Sequence, residues 1–438
     1  METKRGPDNP KQIQEIVSNF DIGELLGSGS FGAVWKVRNK KTQDYFALKL
    51  SAETAYPVSM KCEVEVLKRC NGSCNLPKPY YFGKWNHQYY IIMNYVPHDE
   101  FMEVLYTFTN KEIVEYAKNL FIALEYLHSR GIIHRDVKPG NFLYNRCEKR
   151  YMLVDFGLSS FYKPLEENIL TPVQVNLDNR RDSLTIKRKI SSTEGELEEN
   201  CENIKRRNGD SIAIVDERDK KYSTKIKNIC NCYGKPVYCS KCKNLPKFSY
   251  CRSGTNGYRA PETMLFCKDQ TTKIDIWSAG CTLLSIACQL PSFFRPSDEF
   301  QALFQYACIV GTNSLKEAAD YWNVDLIMSL RSTRKSFFLI SKAMKKKSIY
   351  SIKDFTDSGC YECKNYLTDN PDGICVCFKN NCIYPYEDKY EEMVIKILNW
   401  CLIPHPKKRF SATDLLGCIK DFEESIYNEG CGEKIELM

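Results

Sequence analysis

Residues 133–144 read I-H-R-D-V-K-P-G-N-F-L-Y, so Asp136 is followed two positions on by Lys138 and five on by Asn141. A second acid, Asp155, lies in the short apolar run M-L-V-D-F-G. These residue types suit phosphoryl transfer. That reaction asks a protein for little covalent chemistry; it asks for an acceptor hydroxyl held in line and for charge neutralised on the phosphate. Asp136 would orient the hydroxyl and accept its proton, and Lys138 would neutralise charge on the γ-phosphate. Asn141 and Asp155 offer hard oxygens of the kind magnesium takes beside water and phosphate. A lone Asp-Phe-Gly would say little, but the whole ordered set is a poor match to an accidental loop.

Such groups need a phosphate-binding roof and a rigid approach, and the flanking sequence offers both. From residue 20 the chain reads F-D-I-G-E-L-L-G-S-G-S-F-G-A-V-W-K-V, a strand, a glycine loop and a strand. Gly27, Gly29 and Gly32 fit G-x-G-x-x-G, a spacing that lets backbone N–H groups approach phosphates. Dinucleotide-binding folds share the bare pattern, but there a helix should follow. Here β-formers follow (Val34, Trp35, Val37), then the turn-like N-K-K-T-Q-D, then a second strand, Y-F-A-L-K-L, carrying Ala47 and Lys49. A helix is predicted over 59–69, with Glu63 and Glu65 on it. Residues 89–96 read as a buried strand leaving into an extended segment. Thr109 and Glu112 form a capping box. The helix it opens has an apolar stripe of Ile113, Ala117, Leu120, Leu124 and Leu127 and stops at Gly131. Residues 1–19 are a polar extension with one short helix predicted at 12–17.

The 438 residues, 43% of them hydrophobic, allow one large two-lobed domain or two ordinary ones. A net charge of +7 is small for this length and gives no argument for direct nucleic-acid binding. The first ten residues hold no apolar signal region, and the most apolar stretch, 280–290, ends at Pro291 and is too short to span a bilayer. The expectation is an intracellular protein without a membrane segment. Its 22 cysteines would then be thiols or metal ligands rather than disulfides.

After Gly157 the chain runs for about 100 residues before G-T-N-G-Y-R-A-P-E at 254–262, far beyond an ordinary loop. The insert is placed at 159–252, and most of its charge-rich first part should be disordered or fold only on a partner. Near its end, Cys230, Cys232, Cys239 and Cys242 give C-x-C-x6-C-x2-C. Four thiolates so close can close a tetrahedral structural zinc site, the alternative being ordinary free thiols. A second insert is placed at 314–387. It holds Cys360, Cys363, Cys375, Cys377 and Cys382, whose looser spacing leaves metal binding open. The helical fold should resume at 390–402, before a polar tail at 426–438.

The H-R-D-x-K-x-x-N run followed by D-F-G resembles the eukaryotic protein kinases, and Asp136 with Lys138 resembles their serine/threonine branch. The resemblance implies an α+β bilobal protein kinase fold over 20–425. The N-lobe, about 20–93, would be a mostly antiparallel sheet with one helix, and the C-lobe, about 97–425, helical with the two large inserts. It also implies that Lys49 pairs the α- and β-phosphates and that Glu63, with Glu65 as fallback, pairs Lys49. Met93 would stand at the back of an adenine pocket, with Asn94, Tyr95 and Val96 as its hinge. Val34 and Ala47 would form the upper wall and Leu143 the lower. Asp275 would hold the catalytic-loop backbone, and Arg409 would pair with Glu262.

More narrowly, the two inserts, the N-F-L-Y-N-R run and a cysteine cluster shortly before Gly254-Thr255 resemble the cell-division-cycle-seven kinases, catalytic subunits of the Dbf-four-dependent kinase. Gly140, Asn256 and Tyr258 depart from that pattern but remove no catalytic group. The resemblance implies ATP and magnesium, a regulatory subunit of the Dbf-four type, and phosphorylation of the minichromosome maintenance helicase to start DNA replication. It also implies a nuclear enzyme; basic runs at 187–189, 205–207 and 345–347 are import signals or solvated charge. Arg252 and Arg259 flank the loop where the residue after the phosphoacceptor would lie, and could favour an acidic one. Thr255 is either a phosphosite or a hydroxyl bonded to Lys138 and Asp136, the second being the preferred reading. Two rivals stand: a casein-kinase-like or proline-directed kinase, and a kinase-fold scaffold without activity.

Overall fold

The computed structural model describes residues 10–29, 32–52, 57–85, 88–162, 211–214, 254–265, 267, 270–328, 330–345, 376 and 386–435. Both cysteine groups, Arg252, and the basic runs at 187–189 and 205–207 lie outside these residues, as does the last run beyond Lys345.

Alternation of apolar residues on successive β-formers builds the first layer. Strands β1 (Phe20–Gly29), β2 (Gly32–Asn39), β3 (Tyr45–Ser51), β4 (Pro79–Trp85) and β5 (Gln88–Asn94) form an antiparallel sheet in the order β1-β2-β3-β5-β4. Side chains two apart share a face. Ala47, Ile91 and Met93 therefore join the main core, while Val37, Leu48, Leu50, Tyr90 and Ile92 form a second cluster on the other face. That second face is covered by α1 (Gln14–Asn19), through Ile16 and the preceding Ile13. The predicted helix at 12–17 is thus shifted, with a 3-10 turn at Pro10–Gln12 before it. The helix expected at 59–69 is α2 (Pro57–Cys70), whose Met60, Val66 and Leu67 are buried in the main core.

Beyond β5 the chain becomes helical. A short α3 (Phe101–Val104) precedes α4 (Asn110–His128), which opens on the predicted capping box: Thr109 N donates to Glu112 and Glu112 N donates to Thr109 Oγ1. The catalytic-loop region is framed by β6 (Ile132–Ile133), β7 (Phe142–Asn145), β8 (Arg150–Leu153) and β9 (Ser160–Phe161), with β6 pairing β9 and β7 pairing β8. Residues 159–161 therefore still belong to the body, so the first insert begins later than 159. Within it, β10 (Ser211–Ile214) is a strand where disorder was expected; it pairs in parallel with the later β11 (Asp325–Met328).

The remaining helices are α5 (Pro261–Met264), α6 (Lys273–Ala287), α7 (Glu299–Val310), α8 (Thr312–Tyr321), α9 (Phe337–Met344), α10 (Lys389–Cys401) and α11 (Ala412–Ile435). Every residue of α6 after Lys273 is buried, which explains its all-round apolar sequence. The expected second insert at 314–387 needs correction. Leu315, Ala318 and Ala319 of α8, Leu326 and Met328 of β11 and the first turn of α9 are all core residues. The body thus continues through α9, because these short segments each carry an apolar face that burial rewards.

Candidate active site

Asp275, fully buried on α6, organises the loop that follows α4. Its Oδ2 accepts from His134 N at 2.8 Å and meets His128 Nε2 at 2.9 Å; its Oδ1 accepts from Arg135 N at 2.8 Å. Burial alone would raise this carboxyl, but its hydrogen bond with His128 and the neighbouring His134 outweigh that and hold it below the ordinary value. Arg135 takes a left-handed φ of +71°, a conformation that needs such anchoring.

Around Asp136 the loop is closed by a ring of hydrogen bonds. Lys138 Nζ donates to Asp136 Oδ2 at 2.8 Å, and Asn141 Nδ2 donates to Asp136 Oδ2 at 2.9 Å and to its backbone O at 2.8 Å. From the far side of the first insert, Thr255 N and Oγ1 both donate to Asp136 Oδ1, at 2.8 and 2.7 Å, and Thr255 Oγ1 accepts from Lys138 Nζ at 2.7 Å. Of the two readings of Thr255, this geometry is that of the bridging hydroxyl.

Lys49 reaches from β3 to both acids expected of it: its Nζ lies 2.5 Å from Glu63 Oε1 and 2.8 Å from Asp155 Oδ1. Glu65 instead pairs with Arg69 on the outside of α2. Burial works against the Lys49 ammonium, yet Glu63 and Asp155 together raise its pKa. Burial likewise opposes the Asp155 carboxylate, and Lys49 overrides it and lowers the pKa. The Lys49 charge therefore persists in a buried setting, beside the partly exposed carboxylate of Asp155. Glu63 Oε2 has no hydrogen-bond partner among the described residues. Asp155 is itself left-handed, at φ +69°, with Phe156 buried beside His134.

The residues expected to wall a nucleotide lie on β2, β3, β5 and β7, or just after β5. Val34 pairs with Lys49 across β2 and β3, Ala47 pairs with Met93 across β3 and β5, and Leu143 lies on β7 opposite Met152. Tyr95 and Val96 follow β5, with the Lys36 ammonium 4.9 Å from the Tyr95 ring centroid. The glycines divide by cause. Gly32 has φ +138°, and a Cβ there would stand 2.0 Å from Leu50 O, so the backbone itself demands glycine. A Cβ added at Gly27 or Gly29 would meet no described atom within 4 Å, so the sheet itself does not demand glycine there. That open cradle fits phosphates, and the carboxylate of Asp155 and amide of Asn141 are a hard donor pair that fits magnesium.

Arg409 and Glu262, both fully buried, pair bidentately at 2.8 and 3.0 Å, tying the segment after Gly254 to the chain before α11. Arg259 donates from Nε to Gly254 O at 2.8 Å and lies 3.8 Å from Glu299. The carboxylate it meets is thus the chain's own. His128 escaped the sequence reading: it ends α4 in no recognisable motif, and only its fold partner Asp275 gives it a role.

The chain belongs to the protein kinase family: the family model described as "Protein kinase domain" matches residues 20–176 and 239–418. It is similar to the mouse (Mus musculus) "Cell division cycle 7-related protein kinase", 28% identical over 72% of this chain and 70% of the relative. "Probable cell division control protein 7 homolog 2" of Encephalitozoon cuniculi is also 28% identical, over 71% of this chain and 76% of its own. The "Cell cycle serine/threonine-protein kinase hsk1" of Schizosaccharomyces pombe is 29% identical over 69% of this chain and 52% of its own. Together these likenesses make the chain a serine/threonine protein kinase of the cell-division-cycle-seven type, using ATP and magnesium and acting in the cell cycle. Among the described residues no helix is long and apolar enough to cross a membrane.

Proposed function

We propose that this chain is the catalytic subunit of a Dbf-four-dependent kinase that starts DNA replication by phosphorylating the minichromosome maintenance helicase at serine or threonine next to acidic residues. The observation that carries the reading is the pair of networks, Lys49–Glu63–Asp155 and Asp136–Lys138–Thr255–Asn141. The residue types that phosphoryl transfer calls for are present, and those of each network are bonded to one another, which argues against an inactive scaffold.

In this scheme Asp136 accepts a hydrogen bond from the substrate hydroxyl and takes its proton. Lys138, fixed by Thr255, meets the transferring phosphate, and Lys49, oriented by Glu63, meets the phosphates beyond it. Gly27, Gly29 and Gly32 cover them. Asn141 and Asp155 would hold magnesium, which would supply charge neutralisation on the phosphate oxygens. Val34, Ala47, Met93, Tyr95, Val96 and Leu143 enclose the adenine. Arg252 and Arg259 favour an acid after the phosphoacceptor; at Arg259 that acid competes with Glu299. The four-thiolate set Cys230, Cys232, Cys239 and Cys242 suits a structural zinc ion, and loss of bound zinc from a Cys239→Ser, Cys242→Ser protein, read by metal analysis, tests it. A regulatory subunit of the Dbf-four type orders the activation segment, and the enzyme works in the nucleus.

The test is to isolate the chain with its own partners and offer magnesium-ATP with matched serine peptides bearing Asp, Pro or Ala after the serine. Asp-selective transfer, lost in Asp136→Asn, supports the reading. Proline-selective transfer leaves a kinase but overturns this function.

A further inference from the structure

The N-F-L-Y-N-R run ends in two residues, Asn145 and Arg146, that take no part in the chemistry above, yet both are heavily engaged. Asn145 Nδ2 donates to Pro97 O at 3.1 Å. Arg146 N donates to Asp99 Oδ2 at 2.7 Å, and Asp99 N donates back to Tyr144 O at 2.9 Å. The guanidinium then forks. Its Nε and Nη2 donate to the two Glu112 oxygens at 2.6 and 2.8 Å, while Nη1 and Nη2 donate to Thr107 Oγ1 and O at 2.7 and 2.8 Å.

One residue thus joins three places in the chain: the segment leaving Tyr95 and Val96, the turn before α4, and the cap of α4. The strand it follows, β7, carries Leu143. Glu112 is both the capping-box acid and the arginine's partner. The hydrogen bonds from Arg146, against the pull of burial, hold its pKa down to about 2, so it stays ionised at any working pH. A planar fork with this many filled donors is a fixed geometry that lysine does not reproduce.

We infer that Asn145 is a positioning residue for the nucleotide: its side chain, with the Arg146 and Tyr144 backbone, latches residues 97–99 to the end of β7 and so fixes the Tyr95–Val96 segment relative to the strand that carries Leu143, while the Arg146 guanidinium braces the turn before α4. The inference rests on the nucleotide site proposed above and deepens it. The competing role is a brace for α4 alone, which would lower stability without touching nucleotide affinity.

The experiment uses the full chain with its co-purifying subunits and measures, well below the unfolding transition, kcat and the KM values for magnesium-ATP and for the acidic serine peptide. Loss of the Asn145 Nδ2 bond to Pro97 O predicts a rise in the ATP KM of about threefold for Asn145→Ala, with kcat and peptide KM within about twofold. Arg146→Ala keeps its backbone bond to Asp99 and loses only its bonds to Thr107 and Glu112, so it should lower the melting temperature and leave the ATP KM within about twofold. Should Asn145→Ala fail to fold, Asn145→Ser carries the same measurement. An unchanged ATP KM in the folded Asn145 variants overturns the latch. An unaltered chain whose rate does not saturate with ATP overturns the nucleotide site as well, which separates the two failures.

Discussion

Thr255 shows how one hydroxyl can serve as both donor and acceptor at a reacting centre, giving its proton to Asp136 and receiving one from Lys138. Replacing it by valine keeps the shape and removes both bonds. The kcat of Thr255→Val should fall by about ten- to a hundredfold at saturating ATP, part of the range general-base placement supplies, while Thr255→Ser stays near the parent. A Thr255→Asp protein more active than the parent would instead favour the phosphosite. Two carboxyls held below their ordinary pKa set the acid side of the pH response. The Asp155 and Asp275 carboxylates sit below their ordinary pKa, so each contributes stability in full above about pH 4 and loses it as the pH falls further. Lys49 is raised, so its contribution is complete below about pH 10 and fades only above that. Urea midpoints should therefore be flat between about pH 6 and 8 and drop on acidification, and the acid-side drop should shrink in Asp275→Asn. These residues were legible because their spacing is chemical. His128 was not, since its partner Asp275 lies 147 positions away and only the fold joins them.

At the scale of elements, the glycine loop separates structural from ligand demands. Gly32→Ala forces a left-handed alanine against Leu50 O and should cost about 1–3 kcal/mol of stability, seen as a lowered melting temperature. Gly27→Ala has room in the protein itself; its melting temperature should hold while the ATP KM rises. The ion pair between α5 and the turn before α11 behaves differently from surface pairs. Arg409 and Glu262 are both desolvated, so Arg409→Ala strands a buried carboxylate and should cost about 3–5 kcal/mol in denaturant unfolding. The strands, the capping box and the apolar stripe of α4 could be read from alternation and 3.6-residue spacing. The helix α8 and strand β11 were missed because each is short, and a lysine run and a cysteine group nearby suggested an excursion instead.

For the whole molecule, sequence resemblance pointed to the bilobal kinase fold, but not to where the body ends and an insert starts. That boundary depends on whether Leu315, Leu326 and Phe337 find a core to enter, and no local pattern states it. The parallel pairing of β10 with β11 was equally illegible, since it links segments that lie far apart in the chain. The small helix α1 carries a practical consequence. Ile13 and Ile16 shield an apolar sheet face built from Val37, Leu48, Leu50, Tyr90 and Ile92. A recombinant protein trimmed to begin at Phe20, where a catalytic-domain boundary would naturally be drawn, should leave that face bare and self-associate on a sizing column. The segment before the domain is the sheet's second coat, and shortening the chain to the part that does chemistry would make it less soluble rather than simpler.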